Sequence, residues 1–105
     1  MYYGAEVANR NYSFQRIANL TTTAQEAKGS GSAPLAGRKY LYIWNQAGAN
    51  VYWSLDSTLA GATVLTKATG VMEDGDQIVL PFGPNMRVYI CTQSGQANVS
   101  VTEMA

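Results

Sequence analysis

The chain has 105 residues, and 7 Lys plus Arg balance 7 Asp plus Glu to a formal net charge of zero. That length allows one domain with a core of its own, and the balance removes the basic excess that binding to a phosphate backbone needs. Only 13% of residues are charged and none is His, against roughly 25% charged in ordinary domains; imidazole bases and ligands are excluded, and so neutral a surface tends to associate.

Taken in order, residues 1–11 read as an extended N-terminal arm. Tyr12, Phe14, Arg16, Ala18 and Leu20 alternate with Ser13, Gln15, Ile17 and Asn19, which predicts a half-buried strand within residues 12–27; a helix over 14–20 is the alternative. Residues 28–37 are small and rich in Gly, Ser, Ala and Pro, the composition of a flexible loop. From residue 38 the β core begins. Tyr40, Tyr42 and Trp44 fall on one face of a strand, Leu41 and Ile43 on the other. Both faces are apolar, so this strand is expected to be central and covered twice. A turn around Gly48 leads to a return strand at Val51-Tyr52-Trp53-Ser54. Residues 61–67 have the composition of a short strand. Glu73-Asp74-Gly75-Asp76 is a turn signal. Strands are expected at 77–80, 86–92 and 97–103, with Pro81-Phe82-Gly83-Pro84 ending the first of them.

The stretch from Tyr42 to Val51 is echoed by that from Tyr89 to Val99. With Gln96 as an insertion, Tyr, Ile, Gln, Gly, Ala, Asn and Val coincide. Both copies read as strand, Gly turn, strand, which suggests two related hairpins in a sandwich or barrel of two similar halves. The expectation is an all-β chain: a single small antiparallel β-sandwich or barrel, jelly-roll-like, with an extended N-terminal arm.

Motifs for chemistry fail on inspection. Gly31 and Gly37 have five residues between them and Arg38 follows, so the phosphate-loop spacing is wrong; Pro34 stands where a dinucleotide fingerprint needs its third Gly. Glu73, Asp74 and Asp76 could hold calcium, but their spacing is not that of an EF-hand and a solvated turn is favoured. Nothing in the sequence sets Asp56 at a glycosidase separation from them. Cys91, the one cysteine, sits in an apolar run and reads as a small buried hydrophobe; it can form neither an internal disulfide nor a thiolate zinc site. Asn11, Asn19 and Asn98 match the glycosylation pattern, but no secretory signal precedes them. The clustered aromatics Tyr40, Tyr42, Trp44, Tyr52 and Trp53 could stack on sugars or partner proteins, though core packing is favoured for Trp44 and Trp53. No catalyst, metal or other cofactor is expected, nor a membrane span.

The Gly37-Arg38-Lys39-Tyr40 lead, the Ile43-Trp44-Asn45 strand, the Val51-Tyr52-Trp53 return, the Leu80-Pro81-Phe82 step and the closing Val88-Tyr89-Ile90 and Ala97-Asn98-Val99-Ser100-Val101-Thr102-Glu103 pair resemble capsid decoration (cement) proteins and related small β-rich virion proteins of tailed bacteriophages. The resemblance covers about the last 70 residues. It implies a virion structural protein on the capsid surface, made in the host bacterial cytoplasm. Such a protein binds the expanded shell and clamps neighbouring subunits of the major capsid protein. It also implies a homo-oligomer, a trimer favoured, with no nucleic-acid or membrane partner. On this reading the arm and residues 28–37 are contact elements, and the residues expected to touch the capsid or a neighbouring subunit are Tyr2, Tyr3, Arg10, Tyr12, Pro34, Leu35 and Arg38. Alternatives are a head–tail or tail-surface module, or a carbohydrate-binding module that uses exposed aromatics.

Overall fold

A computed structural model describes residues 11–105; the expected arm lies outside the described residues apart from Asn11. Eight strands follow one another: β1 (Tyr12–Leu20), β2 (Gln25–Glu26), β3 (Tyr40–Gly48), β4 (Val51–Ser54), β5 (Gly70–Met72), β6 (Gln77–Leu80), β7 (Tyr89–Thr92) and β8 (Ala97–Met104). A 3-10 turn (Gly61–Thr63) and a four-residue helix, α1 (Val64–Lys67), interrupt them. The strands form two antiparallel four-stranded sheets, β1-β8-β3-β6 (sheet I) and β2-β7-β4-β5 (sheet II). This is jelly-roll order. The chain changes sheet at nearly every connection, and only β4 and β5 are consecutive neighbours within one sheet.

Alternation along the strands builds the core. Leu41 and Ile43 of β3, Val99 and Val101 of β8, and Ile17 and Leu20 of β1 point inward against Val51, Met72 and Ile90 of sheet II. Ile17 and Leu20 are three apart, so strict alternation would send them to opposite faces. A register shift between them in the β1–β8 ladder, with Asn19 at φ 59°, turns both inward and starts the corner to sheet II. Each fully buried Leu, Ile or Val contributes about 1.5–3 kcal/mol of transfer free energy.

The internal echo has a structural meaning. Its copies are not hairpins: β3–Gly48–β4 and β7–Gly95–β8 each carry the chain from one sheet to the other. The two corners lie against each other, with Ala49 donating its N–H to Gln96 O at 2.9 Å. The matched glycines both take positive φ, Gly48 at 113° and Gly95 at 74°. The matched residues Asn45 and Thr92 are both buried, and each ties its own corner: Asn45 Nδ2 donates to Ala49 O at 3.0 Å and Thr92 Oγ1 to Gly95 O at 2.8 Å.

Four further expectations are corrected. Residues 12–27 make two strands in different sheets, parted by the corner at 21–24. Residues 61–67 are helical. Gly61 N–H donates to Thr22 O at 2.9 Å, and Thr63 Oγ1 caps the Ala60 N–H at 3.1 Å, so the segment turns back instead of extending. It lays Leu59 and Val64 over Cys91 on the outer face of sheet II, where Ala24, Tyr52 and Tyr89 complete a second small apolar cluster. Residues 28–37 are a tied loop instead of a flexible one, for the reason given below. Finally, β3 is central, between β8 and β6, but only its Leu41 and Ile43 face is covered; Tyr40 is exposed and Tyr42 and Trp44 are half-buried.

Candidate contact surface

One end of the sandwich is organised by a buried ion pair. Alternation in β8 points Glu103 inward beside Val101, and its carboxylate is fully buried. Arg38, just before β3, meets it with Nη1 2.8 Å from Oε2. Glu103 also takes two backbone donors, Gly29 N–H on Oε1 at 2.6 Å and Leu35 N–H on Oε2 at 3.0 Å. Three further guanidinium N–H groups donate to Phe82 O (3.0 Å, from Nε) and to Gly83 O and Met86 O (2.9 and 3.0 Å, from Nη2). A buried pair is retained only where such partners offset desolvation. Here they fasten two loops, 28–37 and 81–87, to the same end. Ser30 N–H adds a bond to Ser13 Oγ at 3.0 Å, and a Cβ on Gly29 would sit 2.1 Å from that oxygen. Composition made this loop look free, but a carboxylate 74 residues further along the chain holds it.

From that end the outer face of sheet I extends in rows set by the register. Tyr12, Met104 and Tyr40 form the first; Phe14, Thr102, Tyr42 and Val79 the second; Arg16, Ser100, Trp44 and Gln77 the third. Tyr42 Oη donates to Gln77 Oε1 across β3 and β6. Tyr12 is 66% exposed, Phe14 47%, Tyr40 49%, Val79 56% and Met104 38%; at roughly 200 Å² for a fully exposed aromatic side chain, these five alone offer about 500 Å². That is near the upper end of the largest apolar patches on monomers, roughly 300–600 Å². Of the outward positions on these four strands only Arg16 is charged. Beyond the third row the face turns polar and slightly concave, with a hollow of about 290 Å³ lined by Arg16, Ala18, Gln46, Ala47 and Asn98.

The expected contact residues are distributed as follows. Tyr2, Tyr3 and Arg10 lie outside the described residues. Tyr12, Pro34 and Leu35 come together at the end braced by Glu103, with Tyr12 exposed and the other two half-buried. Arg38 is corrected: it is 2% exposed, and four of its five N–H groups are spent inside the fold, so it shapes the end from within instead of presenting its guanidinium to a partner. Sequence reasoning did not see Phe14, Val79 and Met104 as part of one surface. Their signal is a shared alternation phase with Tyr12 and Tyr40, which has meaning only once the β1-β8-β3-β6 pairing is known.

The other candidates are structural. Cys91 is wholly buried, and burial pushes its thiol pKa up, the opposite of an activated nucleophile. Asp56 accepts the Thr58 hydroxyl at 2.6 Å and the Thr58 N–H at 2.8 Å; these bonds, with Lys67 nearby, hold its carboxyl below the usual range. It stabilises the turn that opens the 55–68 excursion. Glu73, Asp74 and Asp76 are exposed in a turn closed by Asp76 Oδ2, which accepts the Glu73 N–H at 2.9 Å. Among the described residues, no three acidic or thiol groups are grouped to hold a metal ion.

The structure defines a jelly-roll sandwich in which, among the described residues, the outer face of sheet II is covered and that of sheet I is not. Set beside known proteins, the chain matches no family model, no curated protein and no solved structure.

Proposed function

We propose that this chain is a non-enzymatic structural protein of a bacteriophage virion, which binds the outer surface of the expanded capsid and clamps neighbouring major capsid subunits. The observation that carries the reading is the bare aromatic face of sheet I, continuous with the braced end that holds Tyr12, Pro34 and Leu35. A charge-poor surface rich in Tyr, Phe, Trp and Met has the composition of a protein-contact core. The resemblance in the last 70 residues supplies the virion, and jelly rolls recur in capsid proteins and in lectins, an analogy of fold and not of site. The braced end grips the shell. Weak contacts there suffice, since many copies on one lattice add by avidity and stabilise the state they prefer by mass action.

Co-sedimentation with expanded heads and with unexpanded precursors tests this. Saturable binding to expanded heads at a lattice stoichiometry is the expected result; absence of binding to either shell refutes it. Copy number separates a decoration role from a head–tail or tail-surface one, with hundreds per particle expected here. A second reading, glycan binding, is favoured by the amide-lined hollow beside Trp44 on the same face. A change of Trp fluorescence on adding oligosaccharides would support it.

A further inference from the structure

We propose that the outer face of sheet I is covered by the same face of a second copy of this chain, so that the working unit is a twofold pair. The inference rests on the reading of this face as a protein contact and names the partner.

Four observations select a copy of the chain. The first is shape. The best complement to a twisted sheet face is another sheet of the same twist, packed about 10 Å away with strands nearly aligned, and a twofold copy supplies that match automatically. The second is charge. A face that meets itself must not set like charges against each other, and this one carries a single charged side chain, Arg16, on the edge strand β1. The third is area. The five most exposed side chains give about 500 Å² on each partner before Tyr42, Trp44, Thr102 and Arg16 are added, so a pair buries more than about 1,000 Å² in all, the size at which specific interfaces begin. The fourth is composition. Tyr12, Phe14, Tyr40, Tyr42, Trp44 and Met104 are the residue types enriched where homodimers meet.

The pair gives a clamp its two jaws. Each copy has one braced end where Tyr12, Pro34 and Leu35 converge, and a twofold axis through the sheet face places two such ends on one rigid body. An isologous contact closes at two copies, which departs from the trimer that the resemblance implies.

Sedimentation velocity of the full chain over a micromolar concentration series tests the inference, with Phe14→Glu and the milder double variant Phe14→Thr/Val79→Thr alongside it. Leu65→Glu is the control, since Leu65 is 82% exposed on the excursion that covers sheet II. The wild type and Leu65→Glu should sediment at twice the 11.3 kDa chain mass. Both face variants should raise the dimer dissociation constant at least tenfold while keeping the wild-type circular dichroism. Thr keeps the strand even if Glu disturbs it. A monomer throughout the series, an assembly of another size, or a dimer indifferent to the Thr variant overturns the proposal. A dimer that fails to bind heads leaves it standing and refutes the capsid reading instead. A monomer that binds heads does the reverse.

Discussion

Removing Arg38 should unfold much of what the Glu103 end holds. In Arg38→Met the Glu103 carboxylate stays buried with two backbone donors and no counter-charge. Breaking a buried pair from one side costs about 3–5 kcal/mol, which for a chain of this length lowers the thermal midpoint by about 12–25 °C at roughly 4–5 °C per kcal/mol. The decisive variant is the double one, Arg38→Met with Glu103→Leu. Many buried pairs can be exchanged for hydrophobic residues without loss. This one should not be, because the two side chains also satisfy five backbone groups: the N–H of Gly29 and Leu35 and the C=O of Phe82, Gly83 and Met86. At about 1 kcal/mol for each group left without a partner, the low end for partly hydrated sites, the double variant should stay about 5 kcal/mol below the wild type. Arg38→Lys keeps the charge but not the fork and should fall between. Urea unfolding at one fixed protein concentration, followed by Trp fluorescence and circular dichroism, gives the comparison. A double variant within about 1 kcal/mol of the wild type would show that the ion pair is replaceable packing, and would refute the claim that it is there to hold the loops.

Three further outcomes are expected. Cys91 should resist a disulfide reagent at pH 8 in the native protein and react at once when unfolded, since burial both hides the thiol and raises its pKa; fast reaction of the folded chain would contradict its place under Leu59 and Val64. Thr58→Val should move the Asp56 carboxyl pKa up towards its ordinary value in an NMR titration, because the Thr58 hydroxyl is the largest cause of its lowering. A carboxyl lowered in the folded state favours folding above its unfolded pKa, and that contribution is lost as pH falls through the folded value, so an unchanged titration in Thr58→Val would sink the assignment. Gly48→Ala should destabilise by more than about 2 kcal/mol, from positive-φ strain plus collision, because its Cβ would lie 2.4 Å from Gln96 O. Gly75→Ala, also at positive φ but with nothing within 4 Å, should lose about 1 kcal/mol from strain alone; equal losses would mean that the corner contact does not matter.

What the sequence made legible were local patterns. Local patterns placed β4 and β6 to the residue and β8 within one, and began β3 two residues early, because their apolar and polar phases are clean. The echo was visible as repeated letters, and its buried Asn45 and Thr92 and positive-φ glycines show that it reflects repeated corner geometry. That these corners change sheet was not legible, since a Gly turn joining two strands fits a hairpin equally well. Residues 61–67 misled because a seven-residue run with apolar and small positions fits either period. The largest gap concerned Arg38 and residues 28–37. Arg is usually exposed and Gly/Ser stretches usually free; only the pairing of β8 with β3 and β1, far apart in the chain, brings Glu103 under both.

The echo also bears on why the described residues leave the outer face of sheet I uncovered. Its two copies map Trp44 of sheet I onto Cys91 of sheet II, and both side chains point away from the core between the sheets. Both sheets are therefore apolar on two faces, unlike an antiparallel sheet that turns a polar side to water. For sheet II the chain itself supplies a third layer: the excursion through Leu59 and Val64 closes over Cys91, and the residue there is small because the cover lies close. For sheet I no segment among the described residues lies over Tyr40, Phe14 and Val79, and the residue at the matching position is a half-buried Trp. A surface of that size held open to water forgoes about 25 cal/mol for each Å² of apolar area, on the order of 10 kcal/mol for the five most exposed side chains taken at about 500 Å². An intermolecular contact recovers that term only after the entropy of association is met, which is how a face too apolar for water can still bind reversibly. The same two-sided sheet is thus completed within the chain on one side of the sandwich and, in the pairing we propose, by a second copy on the other.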